Sequence, residues 1–334
     1  MNSRKTKRRI HSLYMVLILL AIFLIASSYA WFSANREVSI TGITAHVAAA
    51  EGLQISLDGV AWGSSVTVNE GNLATVNAES NTYTVNNYTW PDKLEPVSTD
   101  GTFTGTDMNF YYGDISADGS TLSSVAAATP ASNKYIAFDI YLKNASSQAS
   151  DDLQLSTGSY VQINSEEGKA DTGLEFSTRT GILLYSSTAE FTAAQSDIVG
   201  LASGTPTAAI WEPNYNLHIA EIVKNDPRID AADTAFNTLG ITAKAVGTDV
   251  AGANGTTAND YMVAPFTIKT DATVGTITNL LAVDGTTQLK LTGNSIMKAR
   301  VYIWLEGQDP DCQDTASTGK AFDIQVNLTK PATT

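Results

Sequence analysis

Glu306, Asp309, Asp311 and Asp314 crowd four carboxylates into one stretch that also holds Gly307 and Pro310. Hard oxygen ligands in a flexible loop suit Ca²⁺, the one cofactor this pattern suggests, although the spacing is not that of an EF-hand loop. An acidic loop is also an ordinary solvated face, and Asp226, Asp230 and Asp233 read the same way. Metal chemistry of the other kind would use histidine, and the chain has three: His11, His46 and His218. His218-Ile219-Ala220-Glu221 has Ile222 where the helical zinc-protease motif needs its second histidine. A zinc site would therefore have to be assembled from His46, His218 and a distant carboxylate. No G-x-S-x-G is present, and so few histidines leave little choice of base for a serine nucleophile. The expectation is a protein without catalysis. Trp211-Glu212-Pro213-Asn214-Tyr215 sets two aromatics beside polar groups, which suits either stacking on a sugar ring or packing at a sandwich corner. Cys312 is the only cysteine; no intrachain disulfide can form, which leaves an unpaired thiol or an intermolecular link.

Any such residues must be positioned by strands. Val38 and Ile40, then Leu53, Ile55 and Leu57, alternate with polar neighbours, the period of a half-buried strand. Asp58-Gly59 supplies turn chemistry, and Asn69-Glu70-Gly71-Asn72 between Val66–Val68 and Leu73–Val76 predicts a hairpin. Residues 77 to 129 mix Asn, Thr, Ser, Asp and Gly with scattered aromatics, which predicts ordered loops with short strands. From Lys134 to Lys143, Ile136, Phe138, Ile140 and Leu142 face one way while Tyr135, Asp139 and Tyr141 face the other. Leu153 and Leu155, Val161 and Ile163, Leu174 to Phe176 and Ile182 to Tyr185 continue as strand candidates. Short helical turns are expected at Ala189 to Ile198, Leu217 to Val223 and Asp230 to Leu239. Tyr261 to Ile268 and Thr276 to Leu281 read as extended, with Gln288 to Leu291 pairing across Asp284-Gly285. Ala299 to Glu306 and Ala321 to Leu328 are the strongest strands of all. The pattern predicts an all-β fold, a jelly-roll-like β-sandwich with long loops and a few short helices, preceded by an N-terminal hydrophobic helix.

That helix is Ser12 to Ala34, behind Arg4, Lys5, Lys7, Arg8 and Arg9. Its apolar character favours lipid, and the basic flank holds its start in the cytoplasm, so the chain after it is exported. Residues 13–32 are long enough to span a bilayer before cleavage. Ser28 and Ala30 present small side chains where a signal peptidase reads them, which makes Trp31 the mature N-terminus; a retained anchor is the other outcome. A type IV pilin leader would need a small residue at the junction and an acid shortly after, and Arg9-Ile10-His11 supplies neither. Residues 1–30 are thus a signal peptide or anchor and 31–334 an extracellular sandwich domain. Cleavage takes the formal charge from -14 to -19, which repels phosphate backbones and leaves no expectation of nucleic-acid binding.

Tyr29-Ala30-Trp31-Phe32-Ser33, followed by a polar stretch and the strand ending Gly52-Leu53-Gln54-Ile55-Ser56, resembles the camelysin/TasA family of secreted matrix-fibre proteins. The likeness covers the first fifty-five or so residues, and Ala34-Asn35-Arg36 stands where that family usually has an acidic residue. It implies a SipW-type signal peptidase as processing partner and a jelly-roll protomer that polymerises by donor-strand exchange. Residues 31–50 are then the candidate donor, with Val38, Ile40, Ile43 and Val47 as its apolar positions. An open sheet edge is a row of unpaired donors and acceptors that a spare strand satisfies. The metalloprotease activity attributed to some of that family finds no zinc motif here. The expected function is an exported structural subunit of cell-surface or biofilm-matrix fibres whose partners are copies of itself. A membrane-anchored surface adhesin or binding module acting as a monomer is the alternative.

Overall fold

Alternating side chains bury one face of a strand, and two such faces laid together make a core. The structure is a computed structural model that describes residues 44–49, 52–74, 89–91, 94–105, 107–115, 122–129, 134–163, 173–202, 204, 206–215, 217, 266–307, 309, 311–312 and 322–331. Its strands are β1 (Thr44–Ala49), β2 (Leu53–Ser56), β3 (Ser65–Val68), β4 (Phe103–Thr104), β5 (Asp107–Met108), β6 (Phe110–Ile115), β7 (Leu122–Ala128), β8 (Ile136–Asn144) and β9 (Ser150–Asp152). They continue with β10 (Gln154–Leu155), β11 (Tyr160–Ile163), β12 (Thr178–Ala189), β13 (Thr207–Glu212), β14 (Ile268–Lys269), β15 (Thr278–Asn279), β16 (Lys290–Thr292), β17 (Ser295–Leu305) and β18 (Phe322–Thr329). The fold is all-β and sandwich-like. One sheet runs β15-β10-β18-β1-β3, with β11 also on β18, and the other runs β14-β13-β12-β17-β8-β2.

The inner faces of the two sheets share one hydrophobic core. Val47, Ile324, Val326 and Leu328 from the first sheet meet Ile55, Phe138, Ile140, Val301, Ile303 and Trp211 from the second. Each large apolar side chain buried there is worth about 1.5–3 kcal/mol relative to exposure. Ala299–Glu306 and Ala321–Leu328, the strongest strands expected from sequence, lie in opposite sheets as β17 and β18. Leu281 pairs with Gln288 across Asp284-Gly285, as the turn residues predict.

The outer face of the second sheet is also covered, by β4 to β7 and the segments around them. Phe110 stacks on Tyr135 at 4.4 Å and meets Trp304 edge-on at 5.0 Å, and Val97, Met108, Leu183 and Ile210 fill the same layer. At the other end Tyr141, Ile198, Leu201 and Ile296 form a smaller cluster under Trp62 and Phe191. So β17 is buried along its whole length, and Tyr135, Asp139 and Tyr141 face protein instead of water.

Two expected strands are helical turns. Residues 70–74 wind a turn of helix where a return strand starting at Leu73 was predicted. Asn69 caps it, its Oδ1 accepting from the Asn72 N–H at 2.9 Å and its carbonyl from the Leu73 N–H. Asn and Gly serve caps as well as hairpin loops, so that stretch specifies a reversal but not its kind. Leu174–Ser177 is a single 3₁₀ turn opened by Gly173 at φ 77°, not the strand expected at Leu174–Phe176. The expected turn at Ala189–Ile198 narrows to the helix α1 (Gln195–Val199). Ile198 there presses on Gly59, whose φ is +73° and where a Cβ would meet Ile198 Cγ2 at 2.9 Å. The turns expected at Leu217–Val223 and Asp230–Leu239 lie outside the described residues, apart from Leu217, as does the N-terminal helix. Among the described residues no helix is long and apolar enough to cross a membrane.

Candidate functional site

β1 opens the described chain yet sits inside its sheet. It runs parallel to the last strand, β18, through six register pairs from Thr44↔Asp323 to Ala49↔Leu328, and antiparallel to β3 from Ala45↔Val68 to Ala48↔Ser65. Small and β-branched residues at alternate positions make it fit: Ala45, Val47 and Ala49 point into the core while His46 and Ala48 remain partly exposed. His46 Nδ1 lies 3.2 Å from Thr67 Oγ1 across the outer face. Removing β1 would open one side of β18 and one side of β3 and uncover the core beneath. Of the four expected donor positions, Val47 therefore lies within the chain's own sheet. Val38, Ile40 and Ile43 lie outside the described residues, as do Ser28, Ala30 and Trp31 at the peptidase junction.

No described strand pairs with the far side of β3, where Ser65 and Thr67 are exposed. The Asn72 side-chain amide donates to the Thr67 carbonyl at 2.9 Å and covers one acceptor of that edge. By contrast β2, the edge of the second sheet, is closed by paired hydrogen bonds between Ile55 and Gly63 at 2.8 and 3.0 Å.

The acidic loop after β17 folds back onto the second sheet and gathers around Arg179. Arg179 Nη2 donates to Asp309 Oδ2 at 2.6 Å and to Glu212 Oε1 at 2.8 Å, while Nη1 donates to the Thr178 and Phe176 carbonyls. Thr267 donates to the second oxygen of Glu212 at 2.6 Å. Glu306 accepts from the Ser98 hydroxyl and from the Trp304 indole N–H. Asp309 Oδ1 accepts from the Asp311 N–H at 2.9 Å, and Asp311 is fully buried. Burial pushes the Asp309 carboxyl up to about 7, with Asp311 and Glu212 adding to the rise and Arg179 opposing it. Three of the four expected Ca²⁺ ligands thus line a buried loop organised by an arginine, and Asp314 lies outside the described residues. Among the described residues no group of three or more His, Cys, Asp or Glu is placed to hold a metal ion. His218 lies outside them too. Cys312 is buried, and its backbone N–H donates to the Asp309 carbonyl.

Arg179 was not legible as the partner of this loop. The available sign was its place in a run from Thr178 to Tyr185 that alternates apolar residues on both faces. Trp211 and its neighbours take the core reading: Trp211 is 1 % exposed, with its indole N–H donating to Thr270 at 2.8 Å. Asn214, at φ 61°, donates to the Val161 carbonyl at 2.9 Å.

A second charge cluster lies on the same outer face, across the aromatic layer. Arg300 forks onto Asp139, Nε to Oδ1 at 2.8 Å and Nη2 to Oδ2 at 3.2 Å, and its Nη1 pairs with Asp107. Lys298 Nζ lies 2.9 Å from Asp139 Oδ2 and 5.5 Å from the centre of the Tyr185 ring. Burial raises the Asp139 pKa, but Arg300 and then Lys298 outweigh it and hold the carboxyl below its usual range. Both clusters are built from strands whose outer side chains would be ordinary surface charges without β4 to β7.

No protein-family model, no curated protein and no solved structure matches this chain.

Proposed function

We propose that the chain is an exported structural protein, a subunit of cell-surface or matrix fibres. In this reading the leader carries the chain across the membrane, a SipW-type peptidase cuts before Trp31, and a jelly-roll protomer lends its N-terminal segment to the next copy. The observation that carries it is the seat of β1: the first described strand fills an interior position of a sheet, between the last strand and β3. A sheet that depends on an N-terminal strand can take that strand from itself or from another copy, because the ladder and the core make the same demands of either. Residues 31–50, which include β1, are the segment that would reach the neighbour, and a contact that does not close propagates into a filament. The chain is read as binding no nucleic acid and catalysing no reaction, with Ca²⁺ at the acidic loop as the only ion its composition suggests.

One observation favours a second reading. β1 completes its own chain's sheet, so a monomer is structurally sufficient, which suits a surface adhesin or binding module held by an uncleaved leader. The secreted or membrane-bound product separates the two. Mass spectrometry giving Trp31 as the first residue, with filaments of the purified protein under electron microscopy, is the expected result. A full-length, membrane-held, monomeric product would replace the fibre with the anchored module.

A further inference from the structure

β8 and β17 are neighbours inside the second sheet, and their register sets Asp139 opposite Arg300 and Tyr141 opposite Lys298. Lys298 therefore reaches diagonally along the sheet to Asp139 on the same face. The two side chains are 0 % and 1 % exposed, beneath Tyr185 and beside Tyr141 and Tyr302. An ammonium and a carboxylate buried together give up several kcal/mol of hydration each, and repay it only with well-aligned hydrogen bonds. Here the repayment is incomplete: Nζ is 2.9 Å from Oδ2 but out of line for a good hydrogen bond. Asp139 already has the Arg300 fork.

We propose that Lys298 and Asp139 condense into an amide, a covalent rung between β8 and β17. The step is closed in atoms and charge. Proton transfer from Nζ to Oδ2 within the pair gives a neutral amine beside a carboxylic acid. The amine lone pair attacks Cγ while the Arg300 Nε–H holds Oδ1 as negative charge develops there. A second proton passes from the nitrogen to the departing Oδ2–H, the Cγ–Oδ2 bond breaks, and one water leaves. One ammonium and one carboxylate become one amide and one water, with no oxidant, activating group or external acid. Two buried charges disappear, and the two that remain, Arg300 and Asp107, are already paired with each other. Proximity supplies the drive, since the reacting groups are held at contact by two strands of one sheet. Burial also pulls the Lys298 pKa down, against the opposing pull of Asp139, which favours the nucleophilic amine.

This inference does not rest on the fibre reading and is tested without it. The full-length chain is purified folded, denatured, digested with trypsin and analysed by tandem mass spectrometry. The expected dominant species is a branched peptide joining Lys298 to Asp139, lighter than the two separate peptides by one water and uncut at Lys298. It disappears in Lys298→Arg and in Asp139→Ala. In Asp139→Asn the same branched mass is expected, because the side-chain amide nitrogen leaves as ammonium, carrying off the lysine's extra proton, in place of water. Recovery of both peptides separately and at full mass from the wild-type chain overturns the proposal, whatever the variants do.

Discussion

The two charge clusters under the aromatic layer share a sheet face, a depth of burial and an arginine at the centre, yet their carboxylates respond in opposite directions. Around Arg300, before the amide closes, the count among the described residues is even, Asp139 and Asp107 against Arg300 and Lys298, and Asp139 is held below its usual range. Around Arg179 the count among the described residues is uneven, one cation facing Glu212 and Asp309 with Glu306 and Asp311 nearby, and Asp309 is pushed up to about 7. Burial alone would raise both. What decides the sign is how many cations share the pocket, not how deep it is.

Breaking the uneven cluster is expected to have the largest effect. Arg179→Met leaves Glu212 and Asp309 buried without their cation, and urea unfolding near pH 8 should show a loss of about 3–5 kcal/mol. Arg300→Met should cost less, about 2–3 kcal/mol, because Asp107, the one carboxylate left without its cation once Asp139 is an amide, is partly exposed. If the two losses come out reversed, the count of cations is not what separates the clusters.

Titration sharpens the contrast. Asp309, raised in the folded state from 3.8 to about 7, binds its proton more readily folded than unfolded. Its contribution is therefore fully present below about pH 4 and is lost as pH rises through about 7, a change on the order of 4 kcal/mol. Asp309→Asn should flatten the fall in Tm across that window. Asp58 has the opposite sign: burial raises its carboxyl, but hydrogen bonds from the Val60 and Ala61 N–H groups and the Ser56 hydroxyl outweigh it and depress its folded pKa, so its contribution is present above 3.8 and is lost as pH falls below it. Acid unfolding of Asp309→Asn below about pH 4 should accordingly stay as steep as in the wild type.

The smallest effect belongs to a pair outside the layer. Lys290 Nζ and Asp152 meet at 2.6 Å, but the two side chains are 56 % and 36 % exposed. Lys290→Ala should cost under about 1 kcal/mol, and less at high salt. A larger loss would mean that geometry outweighs solvent even at the surface.

Much of the sandwich was readable in advance because its signal is local. Ile136, Phe138, Ile140 and Leu142, and Phe322, Ile324, Val326 and Leu328, mark inner faces by period two alone. The charge clusters were not readable, because Asp139, Lys298 and Arg300 occupy positions that look like a solvent face. Segments far from β17 in sequence turn that face inward, β4 to β7 over its middle and Trp62 and Phe191 at one end. Tyr135, Tyr141, Tyr302 and Trp304 on the same side were the available clue, since a solvent face seldom carries so many large rings. The acidic loop was located correctly by composition, but its organising partner, Arg179, lies more than a hundred residues earlier and no spacing rule connects them. Leu174–Ser177 and residues 70–74 misled for a different reason, their turn residues serving helical caps and hairpin loops equally.

β1 and β18 lie side by side and point the same way, so the start of the first strand and the end of the last are at opposite ends of the ladder. Tension applied through those two ends would load all six register pairs together, in shear, instead of peeling them open one at a time. A chain threaded this way resists stretching along its own axis far better than a hairpin pulled from its open end.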